Sequence, residues 1–187
     1  MEQFELHAKA AEEFGARIEQ IRDEQWTSPT PCAEWDVHEL VRHVVYGNLW
    51  VPPLVEGLTI EQVGDRFEGA ILGDDPKAAW ERSAAAAVAA FNQPGAMERT
   101  VHISMGPTPC SEYCAQRTED LLIHAWDLAR GLGANDDLPE ELLRPVHERI
   151  KQYEDVYRQF GALGPKVDPP DGADYQTQVL AVYGRIR

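Results

Sequence analysis

The sequence predicts an all-α protein built as a helical bundle, and three observations predict it. Apolar residues recur every three or four positions over several long stretches. Breaks rich in Pro, Gly and Asp separate those stretches. Strand-like alternation is confined to one short segment, Arg99 to Met105. Helices joined by medium-length connections, with almost no strand signal, imply helix packed on helix.

The first helix is expected from Phe4 to about Arg22, with Phe4, Ala8, Ala11, Phe14, Ile18 and Ile21 on one stripe. The run Ser28-Pro29-Thr30-Pro31-Cys32 forbids helix, because proline fixes φ and disfavours α geometry in the residue before it. Asp36 then reads as an N-cap with Glu39 as its capping-box partner. The second helix follows through Leu40, Val44, Val45 and Leu49, ending before Pro52-Pro53. A short helix around Thr59 to Phe67 and a Gly-rich turn come next. Asp75 caps the third helix, Pro76 suits its first position, and it runs to Phe91 before Gln93-Pro94-Gly95. Arg99 to Met105 reads as an extended connector or a small hairpin arm. The fourth helix has the strongest signal, from about Pro109 to Arg130, with Gly131 or Gly133 just past its end. A further helix spans Pro139 to Phe160, with Leu142, Val146, Ile150, Tyr153 and Tyr157 on one stripe and a start moved toward Arg144 by Pro145. An extended tail from about Gly164 leads to a short terminal helix through Leu180. All 187 residues are expected to form one domain.

Acidic residues outnumber basic ones by 32 to 17, a net charge of -15. Such a chain repels nucleic-acid phosphates and anionic lipid, and no basic patch relieves that. No apolar run reaches the roughly 20 residues a membrane-spanning helix needs. The acidic start Met1-Glu2-Gln3-Phe4-Glu5 lacks the features of a signal peptide, so a cytoplasmic location is expected. Cys32, Cys110 and Cys114 are odd in number and widely split, which predicts free thiols rather than a disulfide framework.

Asp120 and His124 stand one turn apart on one face of the fourth helix, where a carboxylate and an imidazole can grip one ion from a rigid backbone. Asp127 lies near the same face, placed to orient a ligand by hydrogen bonding from behind it. His43 sits among Leu40, Val41, Val44 and Val45, an apolar setting in which a buried imidazole needs a partner. With the second and fourth helices adjacent, the three would form a His-Asp-His set whose remaining position is open, as a catalytic divalent metal requires. Spacing alone leaves two other readings open. His43 fits an ordinary core histidine, and Asp120 with His124 fits a surface pair worth a few tenths of a kcal/mol, order of magnitude.

Two segments carry a resemblance. Thr30-Pro31-Cys32-Ala33-Glu34-Trp35-Asp36-Val37 followed by His43, and Asp120-Leu121-Leu122-Ile123-His124-Ala125-Trp126-Asp127-Leu128-Ala129-Arg130, resemble the two signatures of one family. That family contains the metal-binding N-terminal domain of mycothiol-dependent maleylpyruvate isomerase, within the DinB-like superfamily. The resemblance implies an up-and-down four-helix bundle with short extra helices, and a divalent metal, zinc or nickel, held by His43, Asp120 and His124. It implies mycothiol or a similar low-molecular-weight thiol as cosubstrate, with a small-molecule substrate. The isomerase has a glutamate where Asp120 stands, and a second, C-terminal domain where a short tail follows here. The expected function is therefore a thiol-dependent transferase or isomerase-like enzyme, with no catalytic residue assignable beyond Asp127 as a supporting candidate. The alternative is a non-catalytic metal-binding or dimerisation module, and a homodimer is compatible with either.

Trp35 and Trp126 are expected to pack the core, and Cys32 to be a packing thiol with no base nearby. His38 should face solvent, and His7, His102 and His147 have no companion at ligand spacing. Arg130 suits the negative end of its helix, or an anionic ligand.

Overall fold

Seven helices and one small hairpin carry the chain in a computed structural model that describes residues 1–159, 163 and 165–187. They are α1 (Gln3–Ile18), α2 (Val37–Val55), α3 (Ile60–Val63), α4 (Pro76–Phe91), β1 (Thr100–Ile103), β2 (Gly106–Pro109), α5 (Cys110–Leu132), α6 (Glu140–Gln159) and α7 (Tyr175–Val182). The expected end of the sixth helix at Phe160 and the start of the tail at Gly164 lie outside the described residues. Two compact units form, Met1–Ala134 and Asn135–Arg187.

In the first unit α1, α2, α4 and α5 make the expected four-helix bundle. α1 packs on α5 and α4, and α2 packs on α4 and α5, so α1 and α2 occupy opposite corners. The apolar stripes meet in the middle: Phe14, Ile18, Leu40, Val44, Leu121, Leu122 and Leu128 are fully buried. Between α2, α4, the hairpin and α5, Val51, Leu54, Val55, Phe91, Val101 and Tyr113 form a continuous apolar cluster. β1 pairs antiparallel with β2, Val101 facing Thr108, which realises the hairpin arm.

The caps follow the sequence. Asp36 Oδ1 accepts from the Glu39 N–H at 2.9 Å, and Asp75 Oδ1 from Ala78 at 3.0 Å. Gly133 closes α5 at φ 63°, the left-handed position that favours glycine. Four boundaries differ from expectation. α1 stops at Ile18, and a short 3-10 turn, Asp23–Gln25, follows it. α3 is limited to Ile60–Val63. α2 continues through Pro52 and Pro53 to Val55, because those prolines lie in its last turn, where their carbonyls still accept from Glu56 and Leu58 at 3.0 Å. Burial of Val51, Leu54 and Val55 holds that turn to the core. α6 starts at Glu140, with Pro145 inside it on the exposed face, where water can serve the carbonyl that loses its partner.

In the second unit α6 packs on α7. Leu142, Leu143, Val146 and Ile150 are buried, as are Val179 and Leu180. Gln176 ties the segment before α6, accepting from the Leu138 N–H at 2.8 Å and donating to the Asp136 carbonyl at 2.7 Å. Arg187 pairs with Asp136 at 2.9 Å and Asp174 at 3.2 Å, and also with Asp137.

Candidate metal centre

α2 and α5 pack side by side, and this brings His43 to the Asp120–His124 turn. Asp120 Oδ1 lies 3.3 Å from His43 Nε2 and 3.5 Å from His124 Nε2. One carboxylate oxygen therefore faces two imidazole nitrogens from two helices. The two rings meet edge to face, with centroids 5.0 Å apart.

The rear of each group is anchored. His124 Nδ1–H donates to Asp127 Oδ2 at 2.9 Å, and Asp127 is 0% exposed. Cys32 S–H donates to the same oxygen at 3.2 Å. Asp120 Oδ2 accepts from Arg117 Nη1 at 2.8 Å. Arg117 is buried, and sequence reasoning missed it; its place three residues before Asp120, one turn back on the same face, was the available signal.

With Nδ1 of His124 protonated toward Asp127, a neutral ring would aim the lone pair of Nε2 at Asp120 Oδ1, acceptor against acceptor. Only a positive centre between them makes the arrangement favourable. A proton can supply it. Burial pulls the His124 imidazolium down, but the charge of Asp120, then hydrogen bonding to Asp120, Asp127 and Cys32, raises its pKa well above the usual value. Burial likewise works to raise the Asp120 pKa, and Arg117, His124 and His43 outweigh it, holding the carboxyl well below the ordinary range. A divalent ion fits the same place, and the donor atoms of His43, Asp120 and His124 all lie within 4.8 Å of one another.

A second set, Cys32, His124 and Asp127, also lies within that distance. It would use the other nitrogen of the same imidazole. There Asp127 Oδ2 already accepts from two donors, so a cation would have to displace two protons from a buried carboxylate. The first set requires less and is half open to solvent, with side-chain exposures of 36% at His43 and 25% at Asp120.

The loop before α2 completes the site. Thr30 Oγ1 donates to the Trp35 carbonyl at 2.9 Å and accepts from the Cys32 N–H at 3.2 Å, folding the loop back on itself. Glu34 sits at φ 67°, a conformation costing about 1 kcal/mol in a non-glycine residue. Gly131 remains inside α5 because a Cβ there would lie 3.1 Å from Thr30 and 3.3 Å from the Pro29 carbonyl. This close approach sets Cys32 and Trp35 against the centre. Trp126 is buried as expected, but Trp35 is half-buried and walls the site, its ring 4.8 Å from His43 and 5.9 Å from His124. The expectation of a core Trp35 fails because the residue belongs to this loop rather than to a helix stripe. Cys32 has Asp127 and His124 for neighbours, where sequence spacing offered no base.

The remaining candidates lie elsewhere. His38 is part exposed beside Glu39, and His147 pairs with Tyr175 at 3.0 Å. His102 is half-buried on β1. Arg130 is exposed with its guanidinium over Trp126. His7 is fully buried.

Comparison with known proteins adds three findings. Two uncharacterised proteins from strains of Mycobacterium tuberculosis are each 36% identical over 146 residues, covering 76% of this chain and 74% of the relative. Crystal structures of the mycothiol-dependent maleylpyruvate isomerase and of a histidine-to-alanine mutant share the fold at a TM-score of 0.62, with 20% and 19% identity. The match covers 79% of this chain and 68% of theirs. Residues 7–129, within the first compact unit, match the family model described as the mycothiol maleylpyruvate isomerase N-terminal domain, and the chain belongs to that family.

Proposed function

We propose that this protein binds a divalent metal ion and uses it to activate a low-molecular-weight thiol of the mycothiol type, as a thiol-dependent transferase or isomerase-like enzyme acting on a small molecule. The observation that carries the reading is the pair of imidazole nitrogens, one from α2 and one from α5, directed at a single oxygen of Asp120. His43, Asp120 and His124 would hold the ion, and two nitrogens with one oxygen suit zinc or nickel. A divalent cation bound there supplies Lewis acidity, which lowers the pKa of a thiol brought to it and makes the nucleophile available at neutral pH.

The rest is done by the protein's own residues. Asp127 fixes the ring and tautomer of His124 from behind. Its Oδ2 already accepts from both His124 and Cys32 and it is fully buried, so it supports the site rather than taking a proton from substrate. Trp35 lies against both imidazoles, while the exposed edges of His43 and Asp120 leave a way in. Family membership supports the choice of thiol, since the related solved structures are of a mycothiol-dependent enzyme. A cytosolic location accords with that chemistry, because thiols are kept reduced there.

Elemental analysis of untagged protein tests the reading, alongside His43→Ala and His124→Ala. About one zinc or nickel ion per chain, lost in both variants, together with metal-dependent thiol transfer, is the expected result. No metal in wild type, even after soaking in zinc or nickel, overturns it.

A further inference from the structure

We infer that Arg117 is a positioning residue of the metal centre: its buried guanidinium takes one oxygen of Asp120 and so commits the other to the cation. The inference rests on reading His43, Asp120 and His124 as the metal ligands. Arg117 Nη1 donates to Asp120 Oδ2 at 2.8 Å, while Oδ1 is the oxygen that faces His43 and His124. The same guanidinium reaches across to α2, where Nη2 donates to the Val44 carbonyl at 3.4 Å and to Asn48 Oδ1 at 3.5 Å. Val44 directly follows His43. One planar group therefore links the helix carrying the first ligand to the helix carrying the other two.

Gly47 records the space this takes. A Cβ at that position would lie 2.3 Å from Nη1 of Arg117 and 2.4 Å from its Cζ and Nη2. Glycine inside a helix costs about 0.5–1 kcal/mol relative to alanine. α2 accepts that cost at the one turn where the guanidinium lies on its backbone. A buried ion pair is weak evidence of stabilisation, since apolar replacements of similar volume are often as stable. What an apolar residue cannot do is divide the two oxygens of Asp120. Lysine cannot do it equally well, because a single ammonium lacks the planar fork that serves Asp120 and α2 together.

With one carboxylate oxygen engaged, the centre offers a cation two nitrogens and a single oxygen. That set favours zinc, cobalt or nickel over calcium or magnesium, which require several oxygens. Arg117 thus bears on which ion is taken as well as on how tightly.

Cobalt(II) titration of metal-stripped protein, followed by visible absorption and by competition with a zinc chelator, tests this. Wild type, Arg117→Met, Arg117→Lys and Gly47→Ala are compared, with circular dichroism melts as the check on folding. Wild type should give the intense visible band of low-coordinate cobalt. Arg117→Met should bind about tenfold more weakly and give a weaker, shifted band, because both oxygens of Asp120 are released. Arg117→Lys should restore less than half of either loss. Gly47→Ala, which displaces the guanidinium without removing it, should shift the band in the same direction, so the test survives if Arg117→Met does not fold. Absence of cobalt binding by wild type overturns the metal reading itself. Wild-type binding with an unchanged band and affinity in folded Arg117 and Gly47 variants overturns only the role of Arg117.

Discussion

Two buried histidines of the first unit are held in opposite protonation states. His124, on α5, stands between Asp120 and Asp127 and is pushed well above the usual histidine pKa despite its burial. His7, on α1, is 0% exposed, packs edge-on against Phe91 at 4.8 Å, and has no hydrogen-bond partner for either ring nitrogen among the described residues. Burial, and then the charge of Arg117, lower its pKa to about 3. Both rings are buried, so burial alone does not set the charge. The carboxylates beside His124 make a cationic position, and their absence beside His7 makes a neutral one. Arg117 acts on both, keeping Asp120 ionised and His7 uncharged.

Removing Asp120 attacks the contrast most directly. Asp120→Asn takes away the charge that faces His124 and leaves the buried Arg117 cation without its ion pair. Losing one partner of a buried pair costs on the order of 3 kcal/mol here, the low end of the usual range, because Asp120 keeps a quarter of its side chain exposed. Urea denaturation of metal-stripped protein should show that loss. NMR titration of the ring protons should show His124 giving up its proton at lower pH than in wild type. If His124 keeps its raised value in the variant, Asp127 rather than Asp120 is the cause.

His7 sharpens the comparison through its pH dependence. Its folded pKa lies below the unfolded value of 6.5, so the unfolded chain takes the proton first. Stability therefore falls as pH drops below about 6.5 and goes on falling toward pH 3. His124 behaves in reverse when no metal is bound: its contribution is complete below the unfolded pKa and is lost as pH rises through the raised folded value. His7→Leu should be near neutral in stability at pH 7.5. It should exceed wild type by about 2 kcal/mol at pH 5, since each pH unit between the two pKa values is worth about 1.4 kcal/mol. Chemical denaturation of both proteins across pH 5–8 measures this, and parallel stability curves would falsify the assignment.

How much of this was legible beforehand follows from what each signal depends on. The helices were legible because Phe14, Ile18, Leu40, Val44 and Leu121 repeat on the helical period and Asp36, Asp75 and Gly133 mark helix ends. Asp120, His124 and Asp127 were legible as a group because one helix places them on one face. The meeting of His43 with that face depends on α2 lying beside α5, which no local pattern specifies; the resemblance implied it. Trp35 and Cys32 were misjudged for the same reason. Their loop is folded locally by the Thr30–Trp35 hydrogen bond, but it is seated on α5 by the missing Cβ of Gly131, a contact that joins positions distant in sequence. Arg117 went unnoticed because its partners on α2, Val44 and Asn48, lie 73 and 69 residues away in sequence. Pro52, Pro53 and Pro145 show the limit of breaker rules, since a proline in a last turn or on an exposed face leaves the helix intact.

The smallest expected effect is at Cys32, and it separates the two possible ligand sets. If the ion is held by His43, Asp120 and His124, Cys32 contributes only a donor to Asp127, at 3.2 Å. Cys32→Ser keeps a donor there, so zinc affinity should change by less than about threefold and stability by less than about 1 kcal/mol. If the ion is held instead by Cys32, His124 and Asp127, serine removes a thiolate ligand, and cobalt-substituted protein should lose a sulfur charge-transfer band that wild type displays. His43→Ala gives the complementary result, abolishing binding in the first case and sparing it in the second. His124 belongs to both sets, through Nε2 in one and Nδ1 in the other, so its loss alone cannot tell them apart. The pair of variants can, because the half-open face of His43 and the closed face of Asp127 present the same imidazole to two different environments.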